Sequence, residues 1–201
     1  MAANRYVARR KKPVKTLSID GKTIEIRAFE RSDVVSVGQF AATLPAHDLL
    51  FLSRDIQHAR VIEAWQQAIA DGEIDSLVAH DGTTVVATSA IVRDPLSWSP
   101  HVAEIRLLVA PAMRGHGLGR ILLTESIRIA SERGAIKLIA RMTPDQRGSI
   151  TLFEETGFRG EAMLRDHVRD RDGNVFDLAI LSLDLRRADG ARASWGSDTK
   201  N

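Results

Sequence analysis

The residues with the clearest chemical purpose are Arg114, Gly115, His116, Gly117, Leu118, Gly119 and Arg120, a glycine-spaced run between an apolar stretch and a helical one. Glycines spaced this way let main-chain N–H groups converge on one anion, and the start of the following helix adds about half a positive charge. The expected ligand is a phosphate, with a plain glycine-rich turn as the alternative. Two familiar phosphate loops fail on spacing: GxGxxG needs its third glycine one residue beyond Gly119, and GxxxxGK[ST] needs a lysine where Arg120 stands. What remains is Arg-x-x-Gly-x-Gly, in Arg114, Gly117 and Gly119.

Other reactive side chains give weaker patterns. Asp166 and His167 sit in Leu164-Arg-Asp-His-Val-Arg-Asp-Arg-Asp-Gly173, which carries more charge than a hairpin needs, although a solvated hairpin accounts for it equally well. His47, His58, His80 and His101 lack the paired spacing of a metal site and read as surface or cap residues, so no metal is expected. The chain has no cysteine, which excludes disulfides, thiolate ligands and a cysteine nucleophile together. A serine hydrolase elbow, GxSxG, is also missing. Trp65 and Trp98 read as core or lid residues, not as platforms for nucleic-acid bases.

The elements that must hold these residues follow from periodicity. Leu17 to Ala28 reads as two short strands around Asp20-Gly21, and Asp33 as a cap for a helix over 33–44. A second helix is expected over 55–70. Ser76–His80 and Thr84–Val92 flank the turn signal Asp81-Gly82. Ala103–Ala110 is apolar enough for a central strand, 119–132 is helical and stopped by Gly134, and Ala135–Arg141 is the next strand. A helix over 146–156 and a hairpin of 160–169 with 175–185 complete the order. That order describes an α+β fold, a mixed and mostly antiparallel central sheet with helices on both faces.

Charge divides the 201-residue chain into a basic arm over 1–16, one domain over 17–186 and a small, polar tail over 187–201 in which Trp195 stands out. Six of the 28 basic residues and none of the 26 acidic ones lie in the first fifteen positions, which leaves the rest of the chain at −4. Such a body offers no surface for nucleic acid or anionic membrane. No apolar run approaches the ~20 residues that span a bilayer, and the start lacks a secretory core, so a cytoplasmic protein is expected.

The loop, with the preceding Glu104-Ile-Arg-Leu-Leu-Val-Ala-Pro111, resembles the central motif of the GNAT superfamily of acetyl-CoA-dependent N-acyltransferases. Gln146-Arg-Gly-Ser-Ile-Thr-Leu-Phe-Glu-Glu-Thr-Gly-Phe158 resembles that family's fourth helix. The two motifs span 104–158, and the element order agrees with the family over about 20–185. The resemblance implies that the amides of Arg114 through Arg120 hold the CoA pyrophosphate, with Arg114, Arg120 or Arg147 on its outer phosphates and His116 as a solvent-facing spacer. It also implies that Leu107, Leu108 and Val109 lie where two strands splay at a bulge, so that the pantetheine arm of acetyl-CoA or a similar short acyl-CoA pairs with free main chain. Residues 93–100, with Trp98, would lie beside the acceptor cleft.

Two positions depart from the family pattern. Gln146 stands for the usual Asn, and Phe153 for the Tyr that protonates the leaving thiolate in many relatives; the chain's one tyrosine, Tyr6, lies in the arm. The loss is survivable, since a thiol of pKa about 8.5 leaves as thiolate at a cost of about 2 kcal/mol at neutral pH, whereas deprotonating a lysine-like ammonium costs about 4.6 kcal/mol. A base therefore matters more than an acid. Glu104, on the strand where several relatives carry a glutamate base, is the first candidate, against the alternative of a surface pair with Arg106; Asp166 is the second. The expected reaction is direct attack of a primary amine, on a small molecule or a protein lysine, with a non-catalytic acyl-CoA-binding module as the alternative. The late hairpin offers edges through which two copies could pair.

Overall fold

The computed structural model describes residues 15–186. The arm up to Val14, with Tyr6, and the tail from Arg187, with Trp195, lie outside the described residues. Eight strands form one sheet: β1 (Lys15–Ile19), β2 (Lys22–Ala28), β3 (Ile74–Asp81), β4 (Thr84–Val92), β5 (Val102–Val109), β6 (Lys137–Met142), β7 (Arg159–Arg169) and β8 (Val175–Asp184). Their spatial order is β1-β2-β3-β4-β5-β6-β8-β7, and every neighbouring pair is antiparallel except β5 with β6. A parallel pair needs a crossover. Here the crossover is α3 (Leu118–Glu132), which begins at the glycine loop.

Helices cover both faces, as the element order implies. On one face α3 and α4 (Arg147–Glu155) pack on Ile91, Ala103, Ile105 and Leu138 through Leu123 and Phe153. On the other, α1 (Val34–Thr43) and α2 (Ala59–Ala70) bury Val37, Phe40 and Ile62 with Val78, Leu108 and Leu178. Alternation along β5 divides its residues: Ile105 belongs to the α3 side and Leu108 to the α1/α2 side.

Four local expectations change. The first strand begins at Lys15, two residues before Leu17. The second helix begins at Ala59 because residues 55–58 make a turn of their own: Asp55 accepts the Gln57 N–H at 2.9 Å, and Gln57 Nε2 reaches the carbonyls of Ala41 and Leu44. Asp33 precedes α1 but does not cap it. Its carboxylate takes both Arg27 nitrogens, at 2.7 and 2.6 Å, and the Glu30 N–H at 2.7 Å. Beside it, buried His80 is a core residue, not a surface or cap one: its Nε2 lies 3.5 Å from Asp33 Oδ1 and makes no hydrogen bond. No described helix is long and apolar enough to cross a membrane.

Candidate functional site

The parallel ladder between β5 and β6 runs for three residues, Val102 opposite Lys137, Ala103 opposite Leu138 and Glu104 opposite Ile139, and then ends. β6 continues alongside β8 as far as Met142 opposite Ala179, and β5 alongside β4 to Val109 opposite Ala87. The two strands therefore part like a V whose apex is Glu104. No register shift marks this point; the ladder stops, and the expected bulge is not what opens it. The side of β5 facing β6 has no strand partner over Ile105 to Val109, and a cavity of about 740 Å³ lies against it.

At the open end of the V the glycine loop lines the same cavity. Gly115 and Gly117 both adopt φ of +81°, a region that an L side chain enters at a cost of about 1–2 kcal/mol. Gly117 is the residue before α3, so the first amides of that helix point out of its N-terminus with the favourable end of its dipole. Gly119 serves packing instead: a Cβ there would lie 3.2 Å from Leu152 Cδ2 and 3.6 Å from Val109 Cγ2. Close approach of α3 to β5 and α4 requires the missing side chain.

Of the residues expected to hold cofactor, Leu107, Leu108, Val109, Arg114, Gly115, Gly117, Gly119, Arg120, Gln146 and Phe153 line this cavity, together with Arg147. His116 and Leu118 do not. Leu118 is buried in the core beneath the loop, and His116 is exposed, as expected of a spacer facing solvent, and pairs with the exposed Asp20 at 2.9 Å. Phe153 is buried with its ring edge-on to Phe158, centroids 5.0 Å apart, so it is a packing residue at the cavity wall. The arginines differ in freedom. Arg114 donates to the Val109 carbonyl at 3.1 Å and to Asp48 at 2.6 Å, and Arg120 pairs with Glu155. Arg147 makes no ion pair among the described residues.

Glu104 is 8% exposed and lies at the apex between two arginines. Arg106 donates to it twice, Nε to Oε1 at 3.0 Å and Nη2 to Oε2 at 3.1 Å, while Arg141 Nη2 stands 3.9 Å from Oε2. The pair with Arg106 expected of a strand glutamate is thus present, but buried, not at the surface. Arg141 lines the first cavity, and its buried Nε has no hydrogen-bond partner. Asp166 lines neither cavity; it is exposed on β7 at φ +51°, where the register with β8 shifts, and its N–H binds Asp177 Oδ1 at 2.9 Å.

Two contacts at the first cavity had no counterpart in the sequence reading. A short helical turn, Ala46–Leu49, carries His47 and Asp48 across the cavity mouth: His47 Nε2 lies 2.6 Å from Asp145 Oδ2, beyond the end of β6, and Asp48 holds Arg114, beyond the end of β5. The turn ties the two arms of the V together. His47, partly exposed, also stands edge-on to Phe176 at 4.9 Å. Burial pushes the Asp145 carboxyl up, but hydrogen bonds from Thr143, the main chain and His47 outweigh it, and its pKa falls below the usual range. These partners lie 98 and 66 residues from the turn, so no spacing rule could have joined them.

A second cavity, of about 260 Å³, opens on the Glu104 face between α2 and strands β4 and β5. Arg106 and Leu108 line it from β5, Thr88, Ala90 and Val92 from β4, and Trp65 from α2. Trp65 packs on Phe29 and donates to Ser76 Oγ at 2.9 Å, as a core residue would. Trp98 is wholly exposed and lines neither cavity. Among the described residues no cluster of three histidine, aspartate or glutamate side chains could hold a metal ion.

The model of the acetyltransferase (GNAT) family matches residues 44–158, more than half of the chain. YwnH of Bacillus subtilis (strain 168), provisionally described as a phosphinothricin acetyltransferase, is 37% identical over 83 residues; the match spans 41% of this chain and half the length of that relative. Among solved structures, YncA of Salmonella typhimurium, provisionally an acetyltransferase and determined with acetyl-CoA, is 23% identical with a TM-score of 0.70, over 81% of this chain and 94% of that one. The ribosomal-protein-alanine N-acetyltransferase of Brucella melitensis is 25% identical with a TM-score of 0.68, over 80% of this chain and 99% of that one. The V-shaped opening of the sheet, the glycine loop at its mouth and these likenesses agree: the chain belongs to the GNAT acetyltransferase family.

Proposed function

We propose that this protein transfers an acetyl group, or another short acyl group, from acyl-CoA to a primary amine by direct attack. The observation that carries the reading is the unpaired side of β5 from Ile105 to Val109, which runs from the glycine loop to Glu104 along one cavity. Main-chain groups there can pair with a pantetheine arm, and the amides of Arg114 through Arg120 with a pyrophosphate. Arg147 is free to meet an outer phosphate, and Gln146 stands beside the arm. Acyl-CoA supplies an activated carbonyl. The amine nitrogen forms a bond to that carbonyl carbon, the C–S bond breaks, and its electron pair leaves on sulfur.

Glu104 is the base in this reading. It accepts the amine proton and passes it to solvent, and Arg106, with Arg141 beside it, holds it in place. With Phe153 at the wall, solvent protonates the thiolate. YwnH, by its name, suggests a small amine as acceptor. An assay of thiol release and product mass, with acetyl-CoA and a panel of amines, tests the reading: acetylated product is expected. Tight CoA binding with transfer to no amine would instead make this a binding module, the alternative that Phe153 favours.

A further inference from the structure

The second cavity lies where an acceptor must enter. β5 rises roughly 3.3 Å per residue, so Val109 to Glu104 spans about 16 Å, comparable to an extended pantetheine arm. An arm anchored at the glycine loop ends at the apex; Glu104 lines neither cavity, but by alternation it is on the side of β5 that buries Leu108 against α1 and α2. The second cavity is on that face, shares Leu108 with the first, and is lined by Arg106, which holds Glu104. Its volume of about 260 Å³ suits a body the size of one amino acid.

Its lining carries two cations and one acid. Arg54 makes no ion pair among the described residues. Arg106 gives Nε and Nη2 to Glu104, and Nη2 also lies 3.4 Å from Ser53 Oγ, while Nη1 makes no hydrogen bond among the described residues. Glu73 is the one acid among the lining residues, and it adjoins Ile74, which pairs through Val92 to Glu104. Two guanidinium groups and one carboxylate thus share the lining, and Arg106 reaches from it to Glu104. Leu52, Val61 and Trp65 supply an apolar wall. A polyamine would set its own cations against both arginines.

Resting on the proposed transferase reading, we propose that the second cavity is the acceptor site and takes a small zwitterion: a primary amine with an apolar body and a carboxylate, the carboxylate read by Arg106 and Arg54. Taking Nη1 and Nη2 of Arg106 in a two-pronged pair, the carboxylate displaces Glu104 Oε2. That oxygen then accepts the amine proton. The acceptor itself frees the base.

The test compares acetyl-CoA turnover of leucine, methionine and phenylalanine with that of their carboxamides and of spermidine. The acids are expected to exceed the amides in kcat/KM by at least about tenfold, the size of one charge-assisted hydrogen bond. Arg54→Gln and Arg106→Gln should each reduce that ratio through KM, and Arg106→Lys should keep part of it. Because the ratio is the readout, a general loss of rate does not mask the result. Turnover that favours amides or spermidine, or a ratio unchanged in both glutamine variants, overturns the proposal. Transfer to no amine at all overturns the transferase reading instead.

Discussion

At the scale of single residues, the proposed base Glu104 is a buried carboxylate held by arginine. Two donors from Arg106 satisfy it and offset the desolvation that burial imposes. Glu104→Gln is expected to lower kcat by about 10²- to 10⁴-fold and to leave the affinity for acetyl-CoA within about twofold. Rapid-quench turnover alongside calorimetric titration measures both, and an unchanged kcat would remove Glu104 from the reaction. His80 and Asp33 carry a different prediction. Burial, aided by the charge of Arg27, lowers the pKa of His80 below 6.5, so the unfolded chain takes up that proton first and stability falls as pH drops through 6.5 toward the folded value. Burial would raise Asp33, but Arg27 and the Glu30 N–H win and lower it; its contribution is lost only further down, below 3.8. Thermal melts at about pH 7.5 and about pH 5.5 should show the first loss, and His80→Gln should flatten it.

At the scale of elements, the glycine loop was legible because its demands are local. Positive φ at Gly115 and Gly117 and the start of α3 lie within a few residues, and spacing along the chain records them. Gly117→Ala places a Cβ in the left-handed region at a cost of about 1–2 kcal/mol, which for a chain of this length lowers Tm by about 2–8 °C. The same change turns the loop amides away from their focus, so CoA affinity should fall with it; calorimetric scanning and titration of one sample read both. An unaltered Tm would mean that the loop relaxes without strain. The parting of β5 from β6 was not legible in the same way. Ala103–Ala110 looks like an unbroken central strand, and only the position of β6 and β8 across the sheet stops its ladder at Glu104.

At the scale of the molecule, Ala46–Leu49 joins both arms of the V and leads into the segment that lines the second cavity. Asp48 occupies Arg114 as an anionic ligand would. Asp48→Asn should therefore bind CoA a few-fold more tightly, because no carboxylate must be displaced; weaker binding would mean that Asp48 orients Arg114 instead. For the protein as a whole, acetyl-CoA at about a hundred times its Kd adds about 2.7 kcal/mol. A rise in Tm of roughly 5–11 °C is the expected reading, and no shift would argue against a site in the first cavity.

The sequence by itself determined what short-range geometry determines: the glycine loop, the helices around it, the alternation of β5, and the phenylalanine where a hydroxyl acid is common in the family. The tertiary structure alone decided which charges meet. Arg120 with Glu155, Arg114 with Asp48 and His47 with Asp145 join residues 35, 66 and 98 positions apart, and Glu104 owes its place at the apex to where a ladder ends. Backbone propensity acts over a helical turn or a strand. Coulomb attraction and ladder hydrogen bonds act through space, so the partner of each charged group exists only once the sheet has brought distant segments together.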